Sequence, residues 1–166
     1  TLSPDSIVAL YRQWYPEYSP SDAFFAITTA ARSWRSMVIE SERRAEQNTA
    51  PTYVYQFDWK SPVNGVRLRA AHGMDIPFFF HNTEYGKQLI GEGSEQEQLA
   101  DIMTSVLVSF ARTGNPNNPS IPFWEPFNLT TRPTMIFTIP PKLEYDPRSN
   151  ERKLFSPVPY IQPGTL

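Results

Sequence analysis

The stretch from Thr52 to Trp59 constrains the fold more than any other, because aromatic or β-branched residues fill most of its positions and helix formers are few. Tyr53, Val54, Tyr55, Phe57 and Trp59 predict a well-buried strand. A second strand is expected from Met135 to Ile139, turning at Pro140-Pro141 into Leu143 to Tyr145 as a late hairpin. One aromatic strand and a hairpin make too small a sheet to satisfy their own edges. The Thr52 to Trp59 strand therefore calls for neighbouring strands from elsewhere.

Helices are punctuated by serine and proline. Ser3-Pro4-Asp5 places a capping hydroxyl before a proline at the first helical position, and predicts a helix through Trp14 that stops at Pro16. Ser19-Pro20 repeats the signal, and a long helix is expected from Ser21 to Gln47, with Phe24, Ile27, Ala31, Trp34 and Val38 on one face. Its Glu42-Arg43-Arg44 cluster reads as a solvated surface. Ser94-Glu95-Gln96-Glu97 has the pattern of a capping box with Ser94 as the cap. Behind it Leu99, Ile102, Met103, Val106, Leu107 and Phe110 form an apolar face ending before Gly114. The 17 prolines keep much of the remaining chain irregular. The organisation expected is one domain segment over 1–156 and a Pro-rich tail over 157–166.

Charge and composition exclude several classes. Fifteen basic against 17 acidic residues give a net charge of −2, which provides no footprint for nucleic acid or an anionic membrane surface. Without cysteine there is no disulfide framework or thiolate metal site, and His72 and His81 are too few for an all-histidine zinc centre. No metal or other cofactor is expected. No apolar run approaches the roughly 18 residues that span a bilayer, and the first residues do not resemble a signal peptide. The compartment is not legible, although the lack of cysteine is compatible with a bacterial cytoplasmic protein.

The candidate chemistry sits just beyond the strand. A loop from Lys60 to Ala71, with Ser61-Pro62 and Asn64-Gly65 as turn signals, delivers the chain to His72. Histidine exchanges protons near neutrality, so one at the end of a strand–loop unit is a candidate general base. Gly73 allows close backbone approach, and Asp75 can hold the following turn. Ile76-Pro77-Phe78-Phe79-Phe80 is too apolar for a solvated loop, which anchors the segment as a base requires.

Four segments in order, Tyr53 to Asp58, His72-Gly73-Met74-Asp75-Ile76-Pro77-Phe78-Phe79-Phe80, Phe110 to Asn117, and Trp124, resemble the type-B carboxylesterase and cholinesterase-like family of α/β-hydrolases. The likeness runs from about Ser3 to Phe155 and is greatest to its para-nitrobenzyl-esterase-like branch. It implies an α/β fold: the C-terminal portion of an α/β-hydrolase, with a mostly parallel sheet, an edge hairpin and covering helices. In that family the triad runs serine, acid, histidine along the chain, and His72 corresponds to the histidine. The resemblance implies a small-molecule ester as substrate and an acyl-enzyme mechanism. One ring nitrogen takes the serine proton and returns it to the leaving alcohol, while the other donates to the acid.

Departures from the family matter equally. No serine here has glycines at both positions of G-x-S-x-G, and the family's acid lies farther upstream of the histidine than Thr1. The oxyanion-hole glycines are also absent. The serine, the acid and the oxyanion hole are thus expected from an N-terminal part of the same domain, and these residues alone are expected to be inactive. A non-catalytic cholinesterase-like binding or adhesion domain is the alternative. Met74 stands two residues after His72, where choline esterases carry an aromatic residue; it either lines the substrate pocket or packs beside His72. Asp75 and Gly73 read as structural support of the histidine turn, Phe78, Phe79 and Phe80 as core in preference to the border of an aromatic substrate gorge, and His81 as a loop residue. Trp124 and the Asn115-Pro116 turn are expected to secure the tail against the sheet.

Overall fold

A computed structural model describes residues 2–160; of the tail expected over 157–166, residues 161–166 lie outside the described part. The chain forms two compact units, residues 2–44 with 148–160 and residues 45–147.

The first unit is helical: α1 (Pro4–Trp14), α2 (Pro20–Ala31), most of α3 (Ser33–Gln47) and α7 (Ser149–Phe155). Ser3 and Ser19 each cap a helix that opens on proline, as the sequence predicts, and the residue three further on closes a reciprocal box. The expected Ser21 to Gln47 helix is in fact two. The Thr28 hydroxyl bonds back to the carbonyls of Phe24 (2.9 Å) and Phe25 (3.1 Å), the chain tightens at Thr29, and Arg32 leaves helical geometry at φ −121°, ψ −86°. The apolar rhythm continues through the break, which is why it does not reveal it. Tyr11, Ala30 and Phe155 form the core, with Ile27, Ala31 and Trp34 packed on it, whereas Phe24 is 61% exposed despite fitting the same periodicity.

A carboxylate is buried in this unit. Glu151, 1% exposed, takes Arg148 Nε at 2.5 Å, Arg148 Nη2 at 2.6 Å and the Tyr11 hydroxyl at 3.0 Å, and the Arg148 guanidinium lies 4.9 Å from the Trp34 ring centre. Burial, then the neighbouring Glu151 charge, pushes the Tyr11 hydroxyl far above the usual phenol range, so it stays a donor.

The second unit is a mixed sheet with helices. Strand β1 (Val54–Phe57) pairs in parallel with β2 (Pro133–Phe137), which pairs antiparallel with β3 (Lys142–Tyr145). The late hairpin is present, and β1 is the core of the expected Thr52 to Trp59 strand, its ladder extended by Asp58 N–H donating to the Phe137 carbonyl at 2.9 Å. Alternation sends Tyr53, Tyr55 and Phe57 to one face. There Phe57, Met135, Phe137 and Leu143 meet Phe78, Leu99, Met103, Val106 and Trp124 in a single core. All five residues of β2 are buried.

Three helices complete this unit: α4 (Ile76–Phe79), α5 (Thr83–Ile90) and α6 (Ser94–Thr113). The start of α6 corrects the expected capping box. Gly93, at φ 142°, occupies the cap position without a side-chain bond, Ser94 is the first helical residue, and Glu97 is drawn away by the Thr83 hydroxyl at 2.7 Å. The helix ends on Gly114 in the left-handed region, as expected. Asn117 clamps Trp124 through both amide atoms, accepting from its N–H at 2.6 Å and donating to its carbonyl at 2.9 Å.

Candidate active-site turn

The loop after β1 is pinned at its base. Ser61, fully buried, donates from its hydroxyl to the Leu89 carbonyl at 2.5 Å and accepts from Val63 N–H at 3.2 Å, while its own N–H reaches the Arg69 carbonyl at 3.1 Å. Between these anchors Asn64, Gly65, Val66 and Arg69 all have φ between 46° and 68°. Val66 is the uncommon one, since branching at Cβ disfavours that region.

From this base the chain makes a tight turn carrying the candidate base. Met74 N–H bonds to the Ala71 carbonyl at 3.2 Å, Ile76 N–H to Gly73 at 3.3 Å, and Phe78 and Phe79 N–H to Asp75 at 3.2 and 3.1 Å, so the turn runs directly into α4. Gly73 sits at φ 80°, and a Cβ there would meet only Ile76 Cδ1 at 4.0 Å. Its requirement is conformational and not one of space. His72 is exposed, and among the described residues no side chain hydrogen-bonds to its ring.

Its neighbours point elsewhere. Met74 is 1% exposed, belongs to the core of this unit, and receives Ala71 N–H on its sulfur at 3.3 Å. The Asp75 carboxylate accepts the Tyr55 hydroxyl at 2.9 Å across 20 residues of sequence. Burial, then this hydrogen bond, raises the Tyr55 hydroxyl well above the usual phenol range. The three phenylalanines separate: Phe78 is fully buried, Phe79 packs against the core, and Phe80 is 67% exposed.

Two supports of α4 had no sequence-level assignment. Thr104, on α6, donates to the carbonyls of Phe78 (3.0 Å) and Phe79 (3.3 Å), satisfying groups that a one-turn helix leaves bare. Gly86, on α5, lets that helix approach α4 so closely that a Cβ would stand 2.8 Å from Pro77 Cγ. An isolated glycine within a helical stretch is the one signal that marks such a contact. His81 ends the turn after α4 at φ 49°, and its Nε2 pairs with Asp101 Oδ1 at 2.8 Å. That hydrogen bond raises its pKa above the ordinary histidine value. Among the described residues no cluster of three or more His, Asp or Glu side chains is placed to hold a metal ion, and no helix is long and apolar enough to cross a membrane.

Known proteins resemble this chain in sequence and fold. Residues 18–155 match the carboxylesterase family. The para-nitrobenzyl esterase of Bacillus subtilis is 33% identical over 129 residues, covering 74% of this chain and 25% of that protein. Human cocaine esterase is 35% identical over 83 residues, 48% of this chain and 15% of that protein. Among solved structures, a carboxylesterase of Geobacillus stearothermophilus superposes with a TM-score of 0.77 at 28% identity, over 93% of this chain and 32% of that one. A PNB esterase does so with a TM-score of 0.69 at 26% identity, over 90% and 30%. The chain thus spans about a quarter of the Bacillus relative and about a third of the Geobacillus structure. The small mixed sheet and its helices are part of an α/β-hydrolase, and the chain belongs to the carboxylesterase family.

Proposed function

We propose that this chain supplies the catalytic histidine, His72, of a carboxylic-ester hydrolase that works through a Ser-His-Asp/Glu acyl-enzyme. The single observation that carries the reading is an exposed imidazole on a turn whose next residue but one is in the core and whose backbone leads into a short, capped helix. A general base needs an accessible ring on an immobile support. His72 takes the serine hydroxyl proton as oxygen attacks the ester carbonyl, then gives it to the departing alcohol; water repeats the cycle to free the acid. Gly73 and Asp75 hold the turn, and Met74 supports it from within the core.

The serine, the acid and the oxyanion donors come from a preceding part of the same domain, since no G-x-S-x-G stands within these 166 residues. The 166 residues alone are accordingly inactive. Labelling of the intact polypeptide by a fluorophosphonate tests the reading. Modification that is lost in His72→Ala is expected. An unreactive intact protein would move the assignment to a binding domain built on the same fold, and equal labelling with and without His72 would take the role of base from His72.

A further inference from the structure

We infer that Tyr55, on β1, is a positioning residue for His72, acting through its hydrogen bond to Asp75; the inference rests on the ester-hydrolase reading above. The hydroxyl donates to Asp75 Oδ2 at 2.9 Å, joining the sheet to the turn that bears the histidine. The residue is 37% exposed, and its ring also packs on two neighbours. Phe79 meets it at 5.3 Å between centroids and 70° between planes, and Phe137 at 5.5 Å and 61°, both edge-on. Two ring contacts restrict the side chain and so reduce the entropy that ordering this donor costs.

The turn needs such a restraint. Gly73, between His72 and Asp75, is the residue with the widest backbone freedom, and only Ile76 Cδ1, at 4.0 Å, comes near where its Cβ would be. The backbone bonds onto the Asp75 carbonyl tie it to α4 and Met74 anchors the turn in the core, but neither holds the Asp75 carboxylate. The Tyr55 hydroxyl supplies that tie from β1, whose pairing with β2 makes it rigid. The same contact turns the Asp75 carboxylate toward β1.

The experiment is steady-state kinetics of the intact protein on a p-nitrophenyl ester. Tyr55→Phe removes one oxygen and preserves the ring packing, and is expected to lower kcat about tenfold with KM within about twofold, since small displacements of a catalytic group cost rate more than binding. Asp75→Asn keeps an oxygen acceptor and should retain kcat within about threefold, whereas Asp75→Ala should match Tyr55→Phe. The double variant Tyr55→Phe/Asp75→Ala should be no worse than the poorer single one. Tyr145→Phe, which removes a comparable exposed bond to Glu125 (2.6 Å) on β3, should leave kcat unchanged. A Tyr55→Phe enzyme with kcat within about threefold of the parent overturns the inference, as does an Asp75→Asn enzyme as poor as Asp75→Ala. Activity that survives His72→Ala overturns the functional reading itself, which separates the two failures.

Discussion

Met74→Ala separates packing from pocket-lining at the residue two beyond the candidate base. The side chain is 1% exposed within the core that also holds Phe78, Leu99, Met103 and Phe137. Truncation removes Cγ, Sδ and Cε, worth about 2.4 kcal/mol at roughly 0.8 kcal/mol per buried group. A residual void on the order of 50 Å³ adds about 1.2 kcal/mol. The sum, roughly 3.5 kcal/mol, falls inside the range of about 2 to 5 kcal/mol for such truncations. Met74→Leu conserves volume and should cost less than about 1.5 kcal/mol, although Ala71 N–H then loses its sulfur acceptor. Urea titration of the intact protein, followed by tryptophan fluorescence, measures both. With KM for a small ester held within about twofold, this is the pattern of a packing residue. A stability loss below about 1 kcal/mol accompanied by a several-fold change in KM would refute the reasoning and return Met74 to the pocket wall.

Three other perturbations read separate parts of the molecule. Glu151→Gln leaves Arg148, whose side chain is 20% exposed, without its counter-charge and should cost up to about 3 kcal/mol in urea unfolding, the low end of the cost of breaking a buried pair because water still reaches the guanidinium. For Gly86→Ala two effects compete: helix propensity favours alanine by about 1 kcal/mol, and overpacking against Pro77 at 2.8 Å costs about 1 to 3 kcal/mol. The contact should win, and a stabilised variant would show that Pro77 moves aside freely. His81 gains its Asp101 partner on folding, so its folded pKa lies above the unfolded value. The stabilisation is complete below the ordinary histidine value of about 6.5 and fades as pH rises through the folded value. Both side chains are largely exposed, which makes the effect small. An NMR titration of His81 should show its midpoint fall in Asp101→Asn, and an unmoved midpoint would deny the pair.

Local signals carried the architecture well where the determinant was itself local. Ser3-Pro4 and Ser19-Pro20 open helices because the capping hydroxyl and the proline act within one turn, and Gly114 closes α6 for the same reason. The hairpin and the aromatic strand follow from alternation and proline placement. What failed was decided by competition between near neighbours. The break at Arg32 arises from a threonine hydroxyl bonding back to the helix, which leaves the apolar period intact, and Ser94 lost its cap role because Gly93 could adopt φ 142° while Thr83 claimed Glu97. Short α4 and α5 carried too few turns to register a period.

The site divides along the same line. The turn that carries His72 and Gly73 is written in adjacent residues, yet Tyr55, Ser61, Gly86 and Thr104, which hold that turn or the helix it enters, stand 11 to 32 residues from His72 in sequence. Each contributes through a partner it meets only in the folded state: a carboxylate, a carbonyl, a proline ring, the open carbonyls of a one-turn helix. None stands in a motif that sequence reading associates with catalysis. A base must be held to within a fraction of an ångström, and a four-residue helix has no stability of its own to hold it. The burden therefore falls on contacts from β1, α5 and α6, and variants at those distant positions should perturb turnover while leaving the histidine motif unchanged in sequence.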